Sequence, residues 1–339
     1  MTKLRIALLQ LNPIIHQIEE NIQRANTILS KLPTSKPIDL LILPEFAFTG
    51  YNFPNPKAIS SHLEDLKNPG PSITWAQSTS QRLNCFTVLG YPQISNKKTF
   101  NSAIVINPHG EIIHNYNKSF LYDTDETFGA QEGEGFKTLE LNGIKTSIGI
   151  CMDLNPYKFK EPFQKFEFSN HCLDEEVKLI ICPMAWLHST SPSINDSLNQ
   201  EEKLKESKKI QDQIANTKQQ YEINDDQNNQ ITDYEELKEF TELKNPDFNN
   251  LNYWILRFFP FMNHIMKSSW FQSKATVLFC NRSGIEDDVL FGGTSSIVQF
   301  NGSKGLVGYN SIDLKNKSVD VLGSLGKGNE GLLYREVDV

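Results

Sequence analysis

The chain has 339 residues, of which 38% are hydrophobic and 10% aromatic, and its formal net charge is −8 at pH 7. This length and composition allow one large domain or two, with a sizeable core. The acidic balance argues against general nucleic-acid binding, because phosphate recognition needs a basic surface. Five cysteines without a C-x-x-C pair argue against a disulfide framework or a zinc site and favour a reducing compartment.

The first strand-like run is LRIALLQL (4–11), and the helical pattern IIHQIEENIQRANTILSKL follows it. Further along come a second helical pattern at 72–84 and a turn signal at 108–110 between two strand-like runs. Apolar runs of strand length that end in turn residues are typical of strands buried inside a layered fold. They predict an α/β domain with a mixed sheet; the runs are IDLLILP (38–44), FTVLGYP (86–92), SAIVINP (102–108), TSIGIC (146–151), KLIICP (178–183) and TVLFCN (276–281).

The N-terminus and the most apolar internal stretch both lack the features of a membrane segment. The N-terminus lacks the apolar core and cleavage site of a signal peptide. The most apolar stretch, residues 253–271, contains Arg257 and Lys267 and is interrupted by Pro260, so we expect a helix packed on the protein. These features predict a protein of the cytoplasm, or also of the nucleus, without a membrane partner.

Residues 190–250 differ from the rest in composition, because Asn, Gln, Asp, Glu, Lys and Ser dominate them. Such a segment has too few apolar side chains to offset its own ordering entropy. We interpret it as a polar insertion, partly helical and partly mobile, in a single catalytic domain that spans 1–339.

Three reactive side chains follow strand-like runs directly. Glu45 follows IDLLILP, Lys118 follows IIHNYN, and Cys151 follows TSIGI. Ligands of α/β sheets gather at the carboxyl ends of strands, so these side chains could converge. Their chemistry is complementary: Glu45 can accept the proton of the Cys151 thiol, and Lys118 can stabilise the oxyanion of a tetrahedral intermediate. The residues by themselves predict a cysteine enzyme, while the other four cysteines lie in apolar surroundings typical of buried positions.

Three segments, LPEFAFTGY, YNKSFLYDTDE and GICMDLNPYKF, resemble the signature segments of the carbon–nitrogen hydrolase (nitrilase) superfamily, in the same order. The resemblance implies an αββα sandwich and a catalytic triad of Glu45, Lys118 and Cys151. It also implies a supporting acid, for which Glu132 is the better match and Glu126 the alternative. CPMAWL resembles the family's segment at the substrate pocket, which makes Trp186 a substrate-binding candidate. No metal or organic cofactor is implied.

The strings CMDLNPYKF, FLYDTDE, CPMAWLHSTS and NYWILRFFPF are most similar to the branch that deamidates N-terminal residues of proteins. That branch converts N-terminal Asn to Asp and Gln to Glu and feeds the Arg/N-degron pathway. The resemblance therefore implies that the partners are protein or peptide N-termini, with a link to enzymes of that pathway. Two alternatives remain open: an amidase for small ω-amides or carbamoyl compounds, and a catalytically silent binding relative. The oligomeric state also stays open.

Asn155 distinguishes an amidase for protein N-termini from an amidase for small ω-amides on physical grounds. In relatives that act on small ω-amides with free carboxylates, an Arg commonly stands four places after the nucleophile, where it can pair with the carboxylate. Asn155 is neutral, which suits a substrate whose carboxyl group lies in a peptide bond. A peptide N-terminus offers an ammonium instead, so we expect an acidic partner, with Asp125 and Asp153 as the main candidates. Asp153 also has the alternative of capping the turn after Cys151.

Overall fold

The computed structural model describes residues 2–223, 243–262, 274–301 and 318–339. Its strands are β1 (Lys3–Gln10), β2 (Leu40–Ile42), β3 (Phe86–Ser95), β4 (Lys98–Ile106), β5 (Ile112–Asn117), β6 (Thr138–Leu141), β7 (Ile144–Ile148), β8 (Leu179–Met184), β9 (Gln220–Glu222), β10 (Ala275–Asn281), β11 (Ser283–Glu286), β12 (Val289–Gly292), β13 (Ser296–Phe300), β14 (Val319–Ser324) and β15 (Gly331–Asp338). Its α-helices are α1 (Ile18–Leu29), α2 (Pro56–Ile59), α3 (Pro71–Leu83), α4 (Asp123–Thr127), α5 (Glu167–Asp174), α6 (Gln200–Ala215) and α7 (Phe248–Arg257).

Two mixed sheets form the centre of the described part of the chain. One has the strand order β5-β4-β3-β2-β1-β15-β9 and the other β14-β13-β10-β8-β7-β6. In the first sheet β2 lies parallel to β1 and β3, and β4 runs antiparallel to β3 and β5. Strand β15 is antiparallel to β1 and parallel to β9. In the second, β8 lies parallel to β7 and β10. The predicted mixed sheet is therefore confirmed, in the form of two sheets.

The two sheets pack face to face through apolar side chains from alternating strand positions. Ile6 and Val88 of the first sheet share a buried cluster with Ile148, Ile181 and Leu278 of the second. The outer face of the first sheet is covered by α1 and α3, and that of the second by α5 and α7. These four layers are the predicted αββα sandwich.

Sequence periodicity explains the helices that cover the first sheet. The buried positions of α1 recur at helical spacing, including Ile18, Ala25 and Ile28. Helix α3 begins with Pro71, whose missing N–H costs nothing at a helix start, and ends at Asn84 in the left-handed conformation. Both predicted helices are confirmed, as is the predicted turn between β4 and β5.

The polar segment 190–250 divides into parts that the sequence interpretation treated as one. Helix α6 begins with a capping box of Asn199 and Glu202, and Ile210 and Ile214 pack near Leu290. Strand β9 adds to the edge of the first sheet beside β15. Helix α7 belongs to the core, where Leu251, Trp254 and Ile255 are buried, so the predicted boundary at 250 lies too late. Residues 224–242 of the proposed mobile part lie outside the described residues.

The apolar stretch 253–271 continues α7 as far as Arg257 and then forms a 3₁₀ turn at Phe259–Phe261. Residues 263–271 lie outside the described part of the chain. Within that part, every helix falls short of the length and hydrophobicity needed to cross a bilayer.

The carboxylate of Glu286 in β11 forms a buried ion pair with Arg282 and also binds the loop that follows β2. Arg282 is fully buried, and its Nη1 lies 2.5 Å from Oε1 of Glu286. Glu286 also accepts hydrogen bonds from the backbone N–H groups of Tyr51 and Asn52. One carboxylate therefore neutralises a buried guanidinium and fixes the loop that begins at Glu45.

We expect Glu286→Ala to lower the free energy of unfolding by roughly 3–5 kcal/mol, because it leaves the buried Arg282 guanidinium without a counter-charge. Denaturant-induced unfolding measures the change. Asp287→Asn is the matched control, since it removes an exposed charge at the neighbouring position and keeps the left-handed backbone that Asn tolerates. A Glu286→Ala protein as stable as this control would contradict the structural role of the ion pair.

Candidate active site

Glu45 is completely buried just beyond the end of β2. Its Oε1 accepts hydrogen bonds from Lys118 Nζ at 2.7 Å and from Asn101 Nδ2 at 2.6 Å, and its Oε2 accepts one from the backbone N–H of Ala185 at 2.7 Å. Gly90 allows this approach, because a Cβ there would lie 2.6 Å from the Cα of Glu45. Burial raises the pKa of Glu45 above its usual value, while the charge of Lys118 opposes the shift. The pKa of Glu45 is thus closer to neutral pH than that of an exposed glutamate, which suits a general base.

Lys118 is equally buried, at the position after β5. Its Nζ lies 2.7 Å from Glu45 Oε1 and 2.7 Å from Asp125 Oδ2. Burial lowers the pKa of Lys118, but the two carboxylates outweigh it and raise that pKa above the ordinary value. The ammonium is therefore permanently charged and held in a fixed direction.

Cys151 opens a 3₁₀ turn, Cys151–Leu154, three residues after the end of β7, and has a left-handed backbone with φ of 43°. Non-glycine residues adopt this conformation rarely, and mostly where a site requires it. Burial raises the pKa of the Cys151 thiol well above its usual value, and the charge of Glu45 adds to this, whereas Lys118 and the N–H of Ala185 act in the opposite direction. The resting thiol is thus protonated, and it needs a base such as Glu45 to become a nucleophile.

The carboxylate that shares Lys118 with Glu45 is Asp125, which the sequence interpretation assigned to substrate binding. Besides Lys118, Asp125 accepts hydrogen bonds from Asn101 Nδ2 and from the N–H of Tyr122. The carboxylate is fully buried and both of its oxygens accept hydrogen bonds within the protein, which favours support of Lys118. The expected role of Asp125 in substrate binding stays a prediction.

Glu132, the expected supporting acid, lies elsewhere. Its side chain is 39% exposed, accepts a hydrogen bond from the Tyr157 hydroxyl and lies 4.0 Å from Lys158 Nζ. Glu126, the alternative, is also exposed and lies 3.7 Å from the same Lys158. Neither carboxylate is hydrogen-bonded to Lys118 in the described structure, and the supporting role expected of Glu132 stays a prediction.

Asp153, the second candidate for the ammonium, is buried and hydrogen-bonded within the protein. Its Oδ1 accepts the N–H groups of Ser119 and Phe120, and its Oδ2 accepts the N–H of Ile150 and the hydroxyl of Tyr116. Burial raises its pKa to about 7, although the backbone N–H donors oppose the shift. Its position matches the capping alternative: Asp153 closes the turn at Cys151 and connects it to the loop after Lys118.

A pocket of about 430 Å³ borders Cys151. The predicted substrate-binding residues Asn155 and Trp186 both line it, together with Ile194 of the polar segment and Asn249 and Asn250 of helix α7. No Asp, Glu, Lys or Arg is among the described lining residues, which are Tyr122, Cys151, Met152, Asn155, Phe159, Ala185, Trp186, Leu187, His188, Ser189, Ile194, Asn249, Asn250 and Tyr253. The titratable imidazole of His188 is neutral, because burial lowers its pKa to about 4.

Two residues of the site escaped the sequence analysis. Asn101 donates from one Nδ2 to both Glu45 and Asp125, and Tyr253 donates its hydroxyl to Asn155 Oδ1 at 2.7 Å. Strand β4 contains other polar residues, Lys98, Thr99 and Ser102, so its sequence held no distinct signal for Asn101. Tyr253 lies in an aromatic helix whose pattern indicates packing alone. Within the described chain, no group of three or more His, Cys, Asp or Glu is arranged to hold a metal ion.

Comparison with known proteins places this geometry in a family. The model of the carbon-nitrogen hydrolase family matches residues 5–156. A protein N-terminal amidase of Saccharomyces cerevisiae is 35% identical, with the alignment covering 99% of this chain and 95% of that protein. Crystal structures of N-terminal amidase with a Gln-Val peptide and with an Asn-Glu peptide each have a TM-score of 0.87 and 34% identity, covering 99% of this chain and 97% of theirs. The chain therefore belongs to the carbon–nitrogen hydrolase family, within the group of the protein N-terminal amidases.

Proposed function

We propose that this protein hydrolyses the side-chain amide of Asn or Gln at the N-terminus of proteins and peptides, forming Asp or Glu and releasing ammonia. The observation that carries the proposal is the pocket beside Cys151. It adjoins the buried Glu45–Lys118 pair, and its described lining offers no cationic side chain for a free carboxylate. The related amidases with Asn- and Gln-initiated peptides support the same substrate class.

The site accounts for each proton of the reaction. Glu45 accepts the thiol proton while the Cys151 sulfur attacks the amide carbon, and Lys118 stabilises the oxyanion that forms. The intermediate collapses to a thioester as the amine leaves with the proton from Glu45, giving ammonia. A water molecule, deprotonated by Glu45, then attacks the thioester, and the proton returns to the sulfur as the carboxylic acid is released.

The alternative of a small ω-amidase requires a partner for the free carboxylate of its substrate. Asn155 stands where an Arg would supply that partner, and its side-chain oxygen already accepts the hydroxyl of Tyr253. A buried carboxylate without a cationic partner is strongly disfavoured, so free asparagine and glutamine fit this pocket poorly. The alternative of a silent binding relative is disfavoured by the complete set of Glu45, Lys118 and Cys151.

We further propose that the enzyme acts in the cytoplasm, and also in the nucleus, on substrates of the Arg/N-degron pathway. All five cysteines are unpaired, which is consistent with a reducing compartment. The acidic N-terminus that the reaction creates is the chemical change on which that pathway would act.

Replacing the nucleophile should abolish the reaction. We expect Cys151→Ala to lower ammonia release from an Asn-Val peptide by on the order of 10⁴- to 10⁶-fold, as in other enzymes that lose a nucleophile. Intact-peptide mass spectrometry follows the conversion of –CONH₂ to –COOH. Cys85→Ala is the control, because Cys85 is buried in the cluster between the first sheet and helices α1 and α3, and its loss should leave turnover in place. Measurable hydrolysis by Cys151→Ala would overturn the thioester mechanism, and equal rates on free glutamine would overturn the substrate class.

The pH profile should identify the supporting carboxylate. Glu45 must be deprotonated to act, and its pKa is raised. The value of kcat/KM should therefore decrease as the pH is lowered, with a midpoint above the ordinary glutamate pKa of about 4.3. The charge of Asp125 contributes to that rise, so Asp125→Asn should move the acid limb to lower pH and also reduce the plateau. Glu132→Gln should leave the limb unchanged. A shift caused by Glu132→Gln and not by Asp125→Asn would reverse the assignment made from the structure.

A further inference from the structure

Asn101, which is fully buried in β4, is hydrogen-bonded to three residues of the buried charge arrangement. Its Nδ2 donates to Glu45 Oε1 at 2.6 Å and to Asp125 Oδ1 at 2.8 Å. Its backbone carbonyl accepts the N–H of Lys118 at 2.8 Å. Asn101 is not among the described residues that line the pocket, so any effect it has on the reaction passes through these three neighbours.

Four hydrogen bonds close a ring through the two carboxylates. Lys118 Nζ lies 2.7 Å from Glu45 Oε1 and 2.7 Å from Asp125 Oδ2, and Asn101 Nδ2 bonds to both carboxylates as well. When both carboxylates are ionised, they share one cation within this ring, and like charges so close repel each other. The amide of Asn101 has two N–H bonds, so it can stabilise both carboxylates without adding a charge.

The amide of Asn101 can do this in one orientation only. Turned over, its Oδ1 would face two carboxylate oxygens, which would repel it. In the observed orientation Oδ1 is buried and has no hydrogen-bond partner among the described residues. A buried acceptor without a partner is costly, and the two hydrogen bonds from Nδ2 therefore have to outweigh that cost.

The backbone of β4 holds the same groups. The carbonyl of Asn101 accepts the N–H of Lys118, and two residues earlier the carbonyl of Thr99 accepts the N–H of Gln131 at 2.8 Å. Gln131 lies shortly after helix α4, which carries Asp125. A short length of β4 thus fixes the chain on both sides of the ring, and the Asn101 side chain orients the two carboxylates within it.

Resting on the proposed function, we propose that Asn101 is a positioning residue of the hydrolysis, which directs the carboxylates of Glu45 and Asp125 toward one ammonium and keeps Glu45 ready to accept the thiol proton of Cys151. Burial raises the pKa of Glu45 and the charge of Asp125 adds to the rise, whereas the hydrogen bond from Asn101 lowers that pKa. Asn101 and Asp125 therefore act on the base in opposite directions.

The test is the pH dependence of kcat and KM for an Asn-Val peptide in Asn101→Leu, which is close to Asn in size but has no donor. We expect the acid limb of kcat/KM to move to higher pH by about one unit, because ionised Glu45 loses a hydrogen bond. This shift is opposite to that expected for Asp125→Asn. The plateau of kcat should fall roughly tenfold while KM changes by less than about twofold, since substrate does not touch Asn101.

Asn101→Ala is the second variant, because it removes the same donor without the risk of overpacking, and it should move the limb in the same direction. The other titratable and charged groups that face Glu45 stay in place in both variants; they are Tyr51, Lys118, Asp125, Cys151 and Arg282. Asn115→Ala is the matched control. Asn115 lies in the neighbouring strand β5 and is hydrogen-bonded to Tyr91, Gln93 and Asn117, so its loss should leave the limb unchanged.

Alkylation by iodoacetamide gives a readout that needs no amide substrate. The carbon–sulfur bond to Cys151 forms as iodide leaves, and Glu45 accepts the thiol proton, so the acid limb of the labelling rate should show the same upward shift. Peptide mass spectrometry locates the label. An alkylation limb in Asn101→Leu and Asn101→Ala that coincides with wild type, or lies at lower pH, would overturn the positioning role.

An increase in KM as large as the decrease in kcat would assign Asn101 to substrate binding and would also overturn the proposal. Failure of the proposed function has a different signature, namely a wild-type protein that is alkylated at Cys151 but does not hydrolyse the peptide. In that case the alkylation profiles alone decide the role of Asn101.

Discussion

The rest of the site depends on one buried charge arrangement, in which the ammonium of Lys118 lies between the carboxylates of Glu45 and Asp125. Charges without water are stable only when their hydrogen-bonding groups are also satisfied. Here Asn101 bridges both carboxylates, and the backbone of Ala185 completes Glu45. The surrounding strands therefore have to hold these groups within hydrogen-bonding distance, so the geometry of the site depends on the positions of the strands.

The arrangement also requires both sheets. Glu45 and Lys118 follow β2 and β5 of the first sheet, whereas Cys151 and Ala185 follow β7 and β8 of the second. Asp153 then connects the two by hydrogen-bonding the N–H groups on either side. The relative positions of Cys151, Glu45 and Lys118 are consequently set by how the two sheets pack.

Much of this could be predicted from the sequence, because buried strands are apolar runs and a reactive residue at their ends stands out. Glu45, Lys118 and Cys151 were predicted in that way, and the structure pairs Glu45 with Lys118. The family resemblance implied the sandwich. The supporting acid could not be found, since several carboxylates lie close together between 123 and 134. The short helix α4 directs Asp125 inward to Lys118, whereas Glu132 lies beyond that helix and is exposed. The boundary near 250 failed for a related reason: averaged polarity concealed Asp247, which caps the core helix α7.

The pocket is lined by residues at strand ends and by residues of the segment between β8 and β10, and these two parts tolerate sequence change to different degrees. The reacting groups follow strands, whereas Ile194 comes from the polar segment after β8, and Asn249 and Asn250 come from the first turn of the core helix α7. Insertions and deletions accumulate readily in such a segment, and strand ends tolerate few. In evolution, the range of accepted N-terminal sequences can therefore diverge between species while the hydrolytic step stays the same.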